Sequence, residues 1–161
     1  MFKLEFGIVH RDCVVNELSR ALPEIRIISA GGFITSPTEA DEVLIIDSSS
    51  DADIDSFMNF LQNSPKIAEA DLMKRLPDKA FVRILCSAGP ETGYCSQAVY
   101  KNRCFNLGKE VQIGGVEQWT VGARQRLQAE NLVKDLQEMG DLKYHTITEV
   151  SWNALIDEKA S

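Results

Sequence analysis

Residues 42–61 read EVLIIDSSSDADIDSFMNFL, and the spacing of the apolar positions changes halfway along. Glu42 to Asp47 (EVLIID) is a short β-branched run bounded by acidic residues, which reads as a strand. After it, Ser50 or Asp51 can cap a helix whose apolar residues Ile54, Phe57, Met58 and Leu61 follow at i, i+3, i+4 and i+7, ending before Pro65. A strand followed at once by an amphipathic helix makes this an α+β chain.

Working outward, residues 2–9 (FKLEFGIV) place Phe2, Leu4, Phe6 and Ile8 on one face, the period of a half-buried strand. Asp12 stands where an N-cap is expected, ahead of Val14, Leu18, Ala21 and Leu22, and Pro23 stops that helix. Glu24 to Ser29 (EIRIIS) is a strand closed by Gly31-Gly32, and Ile67 to Met73 suits either a strand or a helix. The first half thus reads β-α-β-β-α-β. In the second half Ala80–Cys86 is a strand and Cys95–Tyr100 a short helix. Cys104–Ile113 and Glu117–Val121 flank the hairpin signal Gly114-Gly115. A helix over about Ala123–Met139 follows, with Gly140 as its C′ residue, and then a strand over Leu142–Val150. The same order recurs. Two tandem ferredoxin-like or ACT-like units with antiparallel sheets are expected, at residues 1–77 and 78–161, with Leu76-Pro77-Asp78 as the boundary.

The 161 residues are 44% hydrophobic and 25% charged, which suits a packed globular chain. Twenty-four acidic against 17 basic residues give a net charge of −7, unsuited to gripping nucleic acid. The charge is uneven: residues 1–80 hold 14 acidic and 8 basic side chains, residues 81–161 hold 10 and 9. No apolar run approaches the roughly 20 residues that span a bilayer, and Lys3 and Glu5 interrupt any signal peptide. The expected location is the cytoplasm, with no membrane partner.

Chemistry rests on few residues. Cys13, Cys86, Cys95 and Cys104 are the candidates for ligand binding or redox sensing, the last three separated by eight residues each. With His10, which adds an H-x-x-C spacing to Cys13, they form the candidate metal-ligand set, since thiolate and imidazole suit zinc, iron or copper(I). The C-x-x-C pairs of structural zinc sites are missing, and four small buried side chains are the plain alternative. No Walker A loop, G-x-G-x-x-G or G-x-S-x-G occurs, and Asp51, Asp53 and Asp55 suit a helix start better than a calcium loop. Trp119 alternates with Val121 and is expected in a core, whereas Trp152 follows the last strand as a terminal anchor or a contact for something beyond.

Two segments carry a family resemblance. HRDCVVNELSRALPEIRI (residues 10–27) looks like the start of archaeal regulators related to the bacterio-opsin activator. VEQWTVGARQRLQAENLVKDLQEMGDLKYHTITEV (residues 116–150) is similar to the stretch preceding their C-terminal helix-turn-helix. The resemblance implies the N-terminal regulatory region of a transcription regulator, with DNA read only through a helix-turn-helix segment outside this chain. The expectation is therefore a non-catalytic sensory domain, in a homo-oligomer, that binds a small effector or senses redox state or a thiolate-bound metal ion. The alternatives are a small ferredoxin-like enzyme using a cysteine nucleophile, with Cys13 beside His10, and a structural oligomerisation module.

Overall fold

The computed structural model describes residues 1–160, and the side chains of residues 1–157. The described residues form nine strands and five helices, and every strand pairing is antiparallel. The chain is mixed α+β.

Its residues divide into two compact units, neither continuous in sequence. The first comprises residues 1–11, 92–110 and 117–161; the second comprises residues 12–91 and 111–116. The expected boundary at residue 77 falls within the second of these, between two strands that pair with each other.

In the first unit, β1 (Phe2–His10) lies between β8 (Val116–Ala123) and β9 (Gly140–Glu149), and β6 (Phe105–Asn106) pairs with the far side of β8. The order is β9-β1-β8-β6. The period-2 pattern of β1 sends Leu4, Phe6 and Ile8 to one face, and β8 sends Trp119, Val121 and Ala123 to the same face. Over that face pack α3 (Cys95–Lys101) through Cys95, Ala98 and Val99, and α4 (Arg126–Met139) through Ala129, Leu132, Val133, Leu136 and Met139. Phe6 and Trp119 stack with centroids 6.3 Å apart.

The second unit has the sheet order β4-β5-β3-β2-β7, from β2 (Arg26–Ser36), β3 (Glu39–Asp47), β4 (Ile67–Arg75), β5 (Lys79–Cys86) and β7 (Val111–Ile113). Its core is a separate cluster. Here α1 (Val14–Ala21) contributes Val14, Val15 and Leu18, α2 (Asp51–Asn63) contributes Ile54, Phe57 and Leu61, and the strands contribute Ile27, Leu44, Ile46, Val82 and Ile84. Ser50 caps α2 by accepting a hydrogen bond from the Asp53 amide at 3.2 Å. A buried polar network ties α1 to the Gly114-Gly115 turn: Asn16 Nδ2 donates to Gln112 Oε1 (3.1 Å) and to the Gly115 carbonyl (3.0 Å), and Ser19 Oγ accepts from the Gly115 amide (3.0 Å). Both glycines of that turn have positive φ, 59° and 81°, which a two-residue I′ turn requires.

Three local features differ from expectation. The N-cap of α1 is Cys13, because Asp12 takes a left-handed φ of 60°, a conformation Asp tolerates better than most residues. Strand β2 runs through Gly31-Gly32 to Ser36, since β3 pairs along its full length. Gly140 is no left-handed cap: it is extended at φ 175° and opens β9. Glycine is needed there for space, since a Cβ would stand 2.2 Å from the Val9 carbonyl oxygen.

Candidate functional site

The parity that places Leu4, Phe6 and Ile8 in the first unit's core also places His10 there, at the end of the same face. On β8, parity with Trp119 and Val121 puts Glu117 on the core face as well, and β1 pairs with β8 so that Ile8 faces Glu117. His10 lies two residues along from Ile8, so its ring reaches Glu117 diagonally across the two strands, a neighbour relation long side chains can bridge. The start of α3 brings the Cys95 sulfur to 3.7 Å from His10 Nδ1. The three side chains are essentially sealed from solvent: His10 is 1% exposed, Cys95 2% and Glu117 3%.

The geometry centres on the imidazole. His10 Nε2 is 3.0 Å from the Gly93 carbonyl oxygen. A carbonyl can only accept, so Nε2 carries the hydrogen and donates it. The other nitrogen, Nδ1, is 3.7 Å from Cys95 Sγ and 3.4 Å from Glu117 Oε2. Glu117 Oε1 accepts a hydrogen bond from Trp119 Nε1 at 2.7 Å, which fixes the carboxylate plane. Glu117 Oε2, buried, accepts no hydrogen bond among the described residues.

This arrangement has a chemical consequence. With its hydrogen on Nε2, a neutral imidazole presents a lone pair at Nδ1. The Cys95 thiol, with its sulfur 3.7 Å away, can donate its hydrogen to that lone pair. Imidazole whose second nitrogen donates to a backbone carbonyl, and carboxylate held by a further donor, are the outer-shell supports of metal-binding side chains.

Cys13 and Cys86 belong to the core of the second unit, 7% and 4% exposed, packed with Val14, Leu18 and Val82. Cys104 follows α3 in the first unit, where burial pushes its thiol up to about 11, leaving it protonated and unreactive at neutral pH. Of the five candidates, His10 and Cys95 are brought together within the first unit. Glu117 was not among them: in sequence it is one of 24 acidic residues. The signal that could have found it is parity, a carboxylate at a core-facing position two residues before a tryptophan.

Comparison with known proteins places the chain. The family model HVO_2525_N, an N-terminal domain, matches residues 3–142. The chain belongs to the HVO_2525_N family. No curated protein and no solved structure matches it. The HVO_2525_N match takes in His10, Gly93, Cys95, Glu117 and Trp119, so the whole cluster lies within the family domain. No helix among the described residues is long and apolar enough to cross a membrane.

Proposed function

We propose that this chain is a non-catalytic sensory domain of a transcription regulator of the bacterio-opsin-activator-like kind, whose DNA contacts lie on a helix-turn-helix segment outside it. The observation that carries this reading is the placement of Cys95 Sγ 3.7 Å from His10 Nδ1 inside a sealed core. A thiol paired with an imidazole responds to metal or oxidant, and its burial couples that response to the packing of α3 and α4 on the sheet. An enzyme would need these groups open to a substrate. Cys13, the nucleophile of the enzymatic alternative, is buried among aliphatic side chains.

The strand orders support a ferredoxin-like reading of each unit, in an altered form. The ferredoxin-like order places the first strand between the fourth and third, with the second at the edge. The second unit has β4-β5-β3-β2, in which β5 occupies the place of β1; the first unit has β9-β1-β8-β6, in which β1 occupies the place of β5. Each half of the sequence thus supplies its first strand to the unit built by the other half. In this reading β3-α2-β4 closes around β5, the strand that directly follows β4, and β8-α4-β9 closes around β1, a strand from a distant part of the chain.

A sensory role requires that an effector bind one state better than another. Thermal unfolding of reduced protein, with divalent metal ions and separately with a hydroperoxide, tests this. A ligand at 100 times its Kd adds about 2.7 kcal/mol, which in a chain of this size raises Tm by roughly 5–10 °C. A shift in at least one condition that Cys95→Ser abolishes is expected. No shift under any condition would remove the reading.

A further inference from the structure

We propose that the open half of β2, residues 29–36, is a self-association edge: a second copy of this chain adds its own β2 there, antiparallel, about a two-fold axis at Gly32. The proposal goes beyond the sensory reading and does not depend on it.

Three observations in the second unit converge. First, the edge is open. β7 pairs with β2 only at Ile27 and Ile28, whereas β3 pairs with it as far as Ser36, and residues 30–36 are all exposed. The backbone groups on that side have no strand partner among the described residues, which is the template an added strand needs. Second, the edge lacks the charge that guards the others. Between Arg26 and Glu39 no residue is charged. β4, the opposite edge of the same sheet, carries Glu69, Asp71, Lys74 and Arg75, and β9, an edge of the first unit's sheet, carries Asp141, Lys143 and Glu149. The register shifts of β2 fall at Ser29/Gly31 and Ile34/Ser36, which leaves Gly31 to Ile34 regular between them. Third, the surface complements itself. Phe33 is 77% exposed, and Gly31, on the same face, has open space where a Cβ would stand. Val43, directly opposite Gly31 on β3, is exposed as well.

Charge and geometry select the occupant. Each chain has a net charge of −7, so two copies meet with least repulsion where neither brings a charged side chain. The carboxylate opposite Phe33, that of Asp41, is already held by Arg83 at 2.7 Å. In an antiparallel pair, residues directly opposite share a face. A two-fold axis at Gly32 therefore sets the Phe33 ring of each chain over Gly31 of the other, beside Val43. The first unit uses the same arrangement twice. Tyr144 lies over Gly7 and Phe105 over Gly122, each pair directly opposite in an antiparallel ladder, with the ring filling the place of the missing Cβ. A strand of another protein matches this edge only by carrying the same uncharged Gly-x-Phe spacing.

Sedimentation equilibrium of the reduced wild type over about 1 μM to 1 mM, the range in which small interfaces associate, tests the proposal. A monomer–dimer equilibrium is expected, and the backbone amides of residues 29–35 should exchange more slowly at the high end of the range. Phe33→Glu should raise the dissociation constant roughly 10-fold or more, because it brings two like charges together across the axis. Phe33 is exposed in the single chain, so the far-UV circular dichroism of the variant should match the wild type. Mixing Phe33→Glu with Phe33→Lys should restore the dimer, which damage to the fold would not. Where a variant fails to fold, amide exchange of the wild type decides alone. A wild type that stays monomeric throughout the range overturns the proposal, also where a strand of another protein takes the edge. So does a dimer that Phe33→Glu leaves intact, or one whose residues 29–35 exchange as fast as in the monomer.

Discussion

At the scale of single residues, the account depends on polar groups placed where parity demands apolar ones. His10 and Glu117 close the core faces of β1 and β8, and each is partnered in a way an isolated core residue would not need. His10 was legible in the sequence as a ligand type near a cysteine. Glu117 was not, because its meaning comes from the β1–β8 register, which no local pattern states. Replacing Glu117 with Ala leaves the Trp119 indole N–H buried without its acceptor, and should lower stability by about 1–3 kcal/mol in urea unfolding. A loss below about 0.5 kcal/mol would show that the carboxylate is not held as described. Cys104 provides a contrast with Cys95. Its thiol is raised to about 11 by burial, so the folded state favours the protonated form. That contribution to stability is complete below the unfolded thiol's ordinary value and is lost as pH rises through about 11. Between pH 9 and pH 11 the wild type should therefore lose stability relative to Cys104→Ala, as measured by chemical denaturation across that range.

At the scale of elements, most of the secondary structure follows from periodicity and punctuation. The helix of residues 51–63 and its serine cap sit where the change of spacing in residues 42–61 puts them, and Ser50→Ala should cost about 1 kcal/mol by thermal unfolding. The departures arise where tertiary packing decides the backbone. Gly140 reads as a helix cap, yet it is an extended residue pressed against β1, and that contact joins residues about 130 positions apart. Because its missing Cβ would stand 2.2 Å from the Val9 carbonyl, Gly140→Ala must displace one strand from the other. It should destabilise the protein by several kcal/mol, beyond the roughly 1 kcal/mol range expected of an ordinary glycine replacement. A neutral result in thermal unfolding would contradict the close approach.

At the scale of the whole molecule, the order of elements was legible and their grouping was not. The first half carries β-α-β-β-α-β and the second a similar order with one strand more before α4, which is why a cut at residue 77 reads as natural. The β4–β5 pairing is a local hairpin, but the pairing of β5 with β3, across α2 and β4, and of β1 with β8 and β9 is long-range and depends on hydrogen-bonded register. Composition and spacing do not encode it. Fragments 1–77 and 78–161 each lack the strand at the centre of their own sheet, so separately each should show little native circular dichroism, whereas mixing them should restore it. Two fragments that fold independently would contradict the exchanged strands. Acid stability belongs to this scale too, through ion pairs across the second unit's sheet. The Lys79 ammonium, and after it the Arg26 guanidinium, hold the Asp47 carboxyl below its ordinary value. The stability this gives is present above the ordinary carboxylate value of about 3.9 and is lost as pH falls through the lower folded value. Asp47→Asn should flatten the fall of Tm below about pH 4.

The claim on which the functional reading turns is that the Cys95 thiol, paired with the His10 imidazole inside the first unit, is the group that responds to metal or oxidant. Thermal unfolding of the reduced protein with divalent metal ions and separately with a hydroperoxide, beside Cys95→Ser, measures this most directly. The wild type should shift in at least one condition, and Cys95→Ser, folded by circular dichroism, should shift in none. A folded wild type that shifts under no condition, or a Cys95→Ser variant that shifts as far as the wild type, would contradict it.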